Sequence, residues 1–257
     1  MMGGIVQLPI TPIFMDACRQ SERVDEILHG WQVEINSTNG DFYHITTDYG
    51  YEGFVATEAL TLDFFSYKNS ENMRKVAVNF VDVVAEPNVR ACVICTLVRG
   101  SFAHVHEVLT DYASVSLANG KRGFVRNGTL ENIPIHSCEK TLRKALVLSA
   151  KAYLDVQYRW GGKTPLGIDC SGLTFMAYRA NGLKIWRDAV FKEGFALAKI
   201  PQEAAKKGDL AYFPGHVAMF VDSQTIIHSS FANNGVKIES LKMTPIYCAT
   251  AIMSLRA

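Results

Sequence analysis

The chain has 257 residues, 48% of them hydrophobic and 20% charged, with a formal net charge of +1. That balance builds a buried core over two or three domains, and it leaves no basic footprint for nucleic acid or an anionic membrane surface. No apolar run approaches the ~18–20 residues of a membrane span, and the opening MMGGIVQLPITPIF has two prolines and no basic stretch, so it does not read as a signal peptide. A cytoplasmic protein is expected, or a periplasmic or secreted one if a leader has been removed.

Up to about residue 133 the chain reads as short β runs between turns: GWQVEINST, DFYHITTD, GYEGFVATEA, VNFVDVVAE, ACVICTLVRG, YASVSLAN and KRGFVRNG. Asn39-Gly40, Asn119-Gly120 and Asn127-Gly128 supply turn residues that tolerate positive φ. The region also repeats. YGYEGFVATEALTL (49–62) and NGKRGFVRNGTL (119–130) share a turn followed by Gly-Phe-Val, and the turns Leu28-His29-Gly30 and Val98-Arg99-Gly100 stand upstream of each. Two β-barrels of roughly 60 residues each fit that spacing.

Six cysteines (18, 92, 95, 138, 170, 248) are scattered through the chain, and only Cys92 and Cys95 form a CxxC. Residues three apart on a strand face opposite sides, and neither a second CxxC nor a nearby histidine completes a zinc site. Buried structural thiols are the expectation there, with no metal.

After Ile133-Pro134 the texture changes. EKTLRKALVLSAKAYLDVQ (139–157) places Leu142, Leu146, Ser149, Ala152 and Tyr153 near one helical face. The Gly- and Pro-rich loop YRWGGKTPLGID follows, and then a second helix, CSGLTFMAYRANG, closing on Asn181-Gly182. GDLAYF, HVAMFVD, TIIHSS and GVKIES read as strands of one antiparallel sheet. Helices first and sheet second make an α+β domain.

Cys170 stands where that loop becomes a helix. A thiol reacts as its thiolate, and a helix N-terminus offers partial positive charge, so the position is expected to depress the pKa, into a range of ~3.5–7.5 if a protonated histidine helps. A buried space-filling cysteine is the competing reading. Only His216 and His228 of the seven histidines lie downstream, each in a short β run. They suit a base and its orienting partner in type and in chain order. The other five (29, 44, 104, 106, 136) fall in surface or core roles by default.

These residues carry a resemblance. YRWGGKTPLGIDCSG, KKGDLAYF and GHVAMF resemble the NlpC/P60 cysteine peptidases, which hydrolyse peptides of bacterial cell walls, and the likeness covers about 139–257. The resemblance implies a papain-like core with catalytic Cys170, His216 and His228, and with Tyr158 donating to the oxyanion. The β region is similar to the tandem bacterial SH3-like domains of one subgroup, the γ-D-glutamyl-L-diamino acid endopeptidases. Domains at 1–68 and 69–134 (SH3-like) and 135–257 (catalytic) follow.

In that subgroup the first SH3-like domain closes one end of the cleft, and its acidic and tyrosine side chains bind the free amine of an N-terminal L-Ala. The resemblance assigns Tyr51 here, with Glu22 as the acid and Asp16 as its alternative. It also puts Arg187 and Asp188 at substrate-contacting positions, with Asp169 and Ser171 beside them. Arg187 is then expected to pair a substrate carboxylate, while Asp169, Asp188 and the SH3 acid meet the ammonium. Ala218 stands where the family often has Gly, and Phe54 and Phe124 stand where the SH3 motif has Trp; these are size-tolerant core positions.

The expectation is therefore a monomeric, cofactor-free cysteine endopeptidase acting on peptidoglycan-derived stem peptides through a thioester. A catalytically silent binder of wall peptides and an amide acyltransferase on the same core are the alternatives. The diamino acid, meso-diaminopimelate or Lys, is not readable.

Overall fold

The computed structural model describes residues 2–62, 71–242 and 248–256. The chain divides into two compact units, Met1–Ile133 and Pro134–Ala257. The expected boundary between residues 68 and 69 lies outside the described residues.

The first unit holds two SH3-like barrels. Strands β1 (Met2–Val6), β2 (Ile10–Phe14), β3 (Arg23–Leu28), β4 (Gln32–Asn39), β5 (Phe42–Thr47), β6 (Glu52–Ala56) and β7 (Leu60–Thr61) form one sheet in the order β3-β2-β6-β5-β4-β1-β7. Strands β8 (Met73–Val76), β9 (Phe80–Val84), β10 (Val93–Val98), β11 (Phe102–Val108), β12 (Tyr112–Ser116), β13 (Arg122–Arg126) and β14 (Leu130–Glu131) repeat it as β10-β9-β13-β12-β11-β8-β14.

The repeat extends to defects in the ladder. A bulge interrupts β4 between Ile35 and Ser37 and β11 between Val105 and Glu107. The Gly of each Gly-Phe-Val is also explained. A β-carbon on Gly53 would lie 2.8 Å from the Phe14 carbonyl oxygen, and one on Gly123 would lie 2.8 Å from that of Val84. Each glycine lets its strand cross close over the neighbouring one. Alternation along the strands fills the second barrel with Val76, Val81, Val83, Leu97, Val115 and Val125.

The barrels meet through β-turn residues. Trp31 Nε1 donates to the Gly100 carbonyl at 2.9 Å, and Phe102 N–H donates to the His29 carbonyl at 2.8 Å. The His29 ring is buried between Gln7 O (Nδ1, 3.0 Å) and Ala118 N–H (Nε2, 3.1 Å). The expectation of buried thiols at Cys92 and Cys95 is corrected: Cys92 is exposed and Cys95 half-buried. Cys92 precedes β10, and the irregular register between Val93 and Cys95 disturbs the alternation.

The second unit is papain-like. Helix α1 (Glu139–Lys151) ends six residues before the end of its expected span, in turns that reach Asp155 at φ 63°. The short hairpin β15 (Lys163–Thr164) and β16 (Gly167–Ile168) leads into α2 (Cys170–Arg179), which is buried from Cys170 to Tyr178. Strands β17 (Leu197–Ile200), β18 (Leu210–Phe213), β19 (His216–Phe220), β20 (Thr225–Ser230), β21 (Gly235–Ser240) and β22 (Ala251–Leu255) form an antiparallel sheet, β17-β22-β18-β19-β20-β21. A helix apolar on every side must be covered on every side; α1 covers α2 on one flank, and β19 and β20 cover it on another.

Among the described residues no helix is long and apolar enough to cross a membrane, and no three His, Cys, Asp or Glu side chains group as a metal site.

Candidate active site

The loop before α2 explains why its sequence is so constrained. A β-carbon on Gly172 would collide with the Gly162 carbonyl oxygen, and one on Gly162 with that of Gly167. Two glycines therefore let the loop lie directly on the first turn of the helix. Asp169 caps α2, its Oδ1 accepting from Gly172 N–H at 2.6 Å, while Oδ2 accepts from Gly161 N–H at 2.8 Å. One carboxylate ties loop to helix and sets Cys170 at the helix's first position.

Cys170 is 5% exposed. The backbone N–H of Val217, on the residue after His216, reaches its sulfur. That contact seats the thiol against the head of β19.

His216 Nε2 lies 2.8 Å from His228 Nδ1. The second nitrogen of His228, Nε2, lies 3.0 Å from Glu239 Oε2. Asn233 Nδ2 donates to the other oxygen of Glu239 at 2.8 Å. His228 is 7% exposed, so its ring nitrogens need these partners.

Tyr158 sits half-buried on an isolated bridge to Ile168, its ring edge-on to exposed Phe231 with centroids 6.2 Å apart. Burial, then the proximity of Cys170 and of Asp169, pushes its phenol up to about 12. It stays protonated and able to donate.

The electrostatics correct one expectation. Burial, followed by the Asp169 carboxylate, pushes the Cys170 thiol up to about 11; the Val217 N–H, the Arg187 guanidinium and the Ser171 N–H pull the other way without prevailing. The helix N-terminus does not leave a resting thiolate, because the same position that offers its dipole also removes water. His216 is pushed down to about 4 by burial and then by His228, with Glu239 opposing. Both shifts favour the neutral forms, a thiol at Cys170 and an imidazole at His216.

Arg187 departs from its expected role. It is 1% exposed; Nη1 donates to Asp169 Oδ1 at 3.0 Å and to Ser171 Oγ at 2.7 Å, and Nη2 donates to Asp169 Oδ2 at 2.9 Å. A guanidinium so enclosed holds the α2 cap and is not presented to a substrate carboxylate. Asp169, 5% exposed with both oxygens engaged, is likewise committed to the fold before it can meet an ammonium. Ser171 Oγ joins the same knot, and Asp188 beside it is half-buried.

Tyr51, Glu22 and Asp16 belong to the first unit. Tyr51 is half-buried, its N–H donating to Thr47 Oγ1 at 2.9 Å. Glu22 is exposed, and Asp16 is exposed in a turn closed by Ser21 Oγ–H, which donates to its Oδ2 at 3.0 Å. Sequence reasoning missed Glu239 and Asn233. The available signal was the spacing of TIIHSS and GVKIES as a tight hairpin, in which His228 pairs with Lys237 and Glu239 stands one diagonal step away on the same face.

Comparison with known proteins identifies the family. The NlpC/P60 family profile matches residues 155–254. The chain is 36% identical over 256 residues to "Dipeptidyl-peptidase 6" of Lysinibacillus sphaericus, covering 96% of this chain and 94% of that one. It is 32% identical over 147 residues to the "Gamma-D-glutamyl-L-lysine dipeptidyl-peptidase" of Bacillus cereus (strain ATCC 10987 / NRS 248), covering 52% of this chain and 42% of that protein. A solved NlpC/P60 family protein from Bacillus cereus ATCC 10987 superposes with a TM-score of 0.81 at 19% identity, covering 97% of this chain and 98% of the other, which shows a shared fold. With the matching loop, helix and histidine-bearing strands, the chain belongs to the NlpC/P60 family of cysteine peptidases.

Proposed function

We propose that the protein hydrolyses the bond between the γ-carboxyl of D-Glu and a diamino acid in cell-wall stem peptides that carry a free N-terminal L-Ala. The observation that carries this reading is the thiol of Cys170, seated against the head of β19, where His216 is hydrogen-bonded to His228. The names of the relatives, a dipeptidyl-peptidase and a γ-D-glutamyl-L-lysine dipeptidyl-peptidase, support the substrate class.

Because the resting pair is neutral, His216 acts as general base during attack rather than beforehand. The Cys170 proton passes to His216 as sulfur bonds to the γ-carbonyl carbon. The Tyr158 hydroxyl donates to the oxyanion that forms. The C–N bond breaks, His216 returns the proton to the leaving amine of the diamino acid, and a thioester remains. Water, deprotonated by His216, attacks the thioester and releases L-Ala-γ-D-Glu with the thiol restored. His228 orients the imidazole and shares its positive charge.

The test is cleavage of L-Ala-γ-D-Glu-meso-diaminopimelate and of its L-Lys counterpart. Release of L-Ala-γ-D-Glu by the wild type, none by Cys170→Ala, and none from peptides with an acetylated N-terminus is the expected result. An active Cys170→Ala variant, or no cleavage of either free peptide, sinks the assignment.

A further inference from the structure

We propose that Glu239 is a positioning residue that sets the tautomer of both histidines and so leaves the base nitrogen of His216 bare. The inference rests on the proposed role of His216 as the base, and it follows from a chain of hydrogen-bond roles that starts at the Glu239 carboxylate, whose 3.0 Å contact with His228 Nε2 is shorter than the 3.5 Å approach of Asn233 Nδ2 to the same nitrogen.

A carboxylate only accepts, so the His228 nitrogen 3.0 Å from Glu239 Oε2 carries the hydrogen. A neutral imidazole has one N–H, so His228 Nδ1 is an acceptor. His216 Nε2, 2.8 Å away, must then donate to it. The remaining nitrogen of His216, Nδ1, holds the free lone pair that taking a proton from Cys170 requires. Without Glu239 either nitrogen of His228 could carry the hydrogen. In half of those arrangements His216 Nε2 would accept, and its proton would sit on Nδ1, where the base must be empty.

Glu239 is itself held. Asn233, in the turn joining β20 to β21, donates to Oε1 at 2.8 Å while Oε2 serves His228. The nearby cation does not compete: Lys237, opposite His228 in the hairpin, is paired with Asp155. Both oxygens of Glu239 are thus assigned within one hairpin, and the carboxylate cannot turn away without losing a bond. The arrangement resembles the way a carboxylate fixes a ligating or catalytic histidine, extended by one further imidazole. The anion also steadies the positive charge that His216 gains during attack, since its field opposes the burial that disfavours the imidazolium.

The charged and titratable groups around the pair are Cys170 and Tyr158 from α2 and its preceding loop, Glu239 and Lys237 from β21, Asp155 on Lys237, and the closed Asp169–Arg187 pair. Of these, Glu239 is the one bonded to an imidazole of the pair and anionic.

The experiment is nitrogen-15 NMR of histidine-labelled wild type, Glu239→Ala and Asn233→Ala at pH 7, together with kcat and KM against pH on the γ-glutamyl peptide. In the wild type His216 is expected as the single Nε2–H tautomer. Glu239→Ala is expected to mix the tautomers, to lower kcat about 10–100-fold with KM within about twofold, and to move the acid limb of kcat/KM to lower pH. Asn233→Ala, which leaves every contact between the imidazoles and Glu239 available, is expected to show a smaller form of the same changes and serves if Glu239→Ala does not fold. Pure Nε2–H tautomer and an unmoved acid limb in both variants overturn the proposal. A wild type that cuts neither peptide refutes the substrate assignment instead, and the tautomer measurement still decides the role of Glu239.

Discussion

Arg187 and Asp169 face each other as a two-pronged ion pair, Nη1 to Oδ1 at 3.0 Å and Nη2 to Oδ2 at 2.9 Å, one residue before Cys170. Both side chains are almost wholly buried. Removing one partner would strand the other's charge in the protein, which costs far more than a surface pair ever contributes. Arg187→Met is therefore expected to lower unfolding stability by about 3–5 kcal/mol in denaturant titrations. A purely substrate-contacting arginine would instead raise KM and leave the unfolding curve in place, and that outcome would return Arg187 to its sequence-based role.

The neutral Cys170–His216 pair gives a second expectation. With the thiol pushed up to about 11 and the imidazole down to about 4, thiolate absorbance attributable to Cys170, read as wild type minus Cys170→Ala, should rise between about pH 9 and 12. A preformed thiolate–imidazolium pair would give absorbance already at pH 6. On the acid side, alkylation of Cys170 followed by peptide mass spectrometry should stay base-assisted until His216 protonates near pH 4. A midpoint near 6.5 would mean that the imidazole is not desolvated as the structure has it.

That Cys170 starts a helix and that His216 and His228 stand in strands was legible because each element has a local signature. A Gly-rich loop runs into an apolar helix at Cys170, and each downstream histidine stands in a β run. The barrel repeat was legible from Gly-Phe-Val for the same reason, since close strand crossing demands glycine at 53 and 123. What escaped depends on contacts between distant segments. No spacing reveals that Arg187 is spent on Asp169 or that burial overrides the helix dipole at Cys170. Strands β1, β2 and β3 hid behind Pro9 and Pro12, which punctuate the apolar pattern, and β17 and β22 are short strands without alternation strong enough to stand alone.

Arg143 lets a buried and an exposed ion pair be compared on one guanidinium. It donates to Asp209, which has no exposed surface, at 2.5 Å, and to Glu139, more than half exposed, at 2.6 Å. Asp209 also accepts from Ser254 Oγ at 2.7 Å and from Lys206 N–H at 2.8 Å. Asp209→Ala is expected to cost about 3–5 kcal/mol of unfolding free energy, because it takes the buried carboxylate from a buried arginine and strands two further donors. Glu139→Gln should be nearly silent, as solvent already competes for that pair. Equal effects of the two substitutions would contradict the burial seen here.

His29 makes the junction between the barrels sensitive to acid. Burial pushes its pKa down to about 4, against the lesser effect of its bond to Gln7 O. In the unfolded chain it titrates near 6.5, so between about pH 6.5 and 4 the unfolded state binds the extra proton and the folded state does not. The contribution is fully present above pH 6.5 and is lost as pH falls toward 4, the loss amounting to on the order of 3 kcal/mol. His104 and His216 shift in the same direction and add to the slope. His29→Gln removes one titrating group while keeping an amide that can donate to Gln7 O and accept from Ala118 N–H. The variant is expected to be less stable than wild type at pH 7.5 but to lose less stability on going to pH 4.5, read by denaturant midpoints at the two values. Parallel losses in the two proteins would mean that the junction takes up its proton without opening. The buried Nε2, which accepts from Ala118 N–H at 3.1 Å, would then have to exchange that bond for another partner.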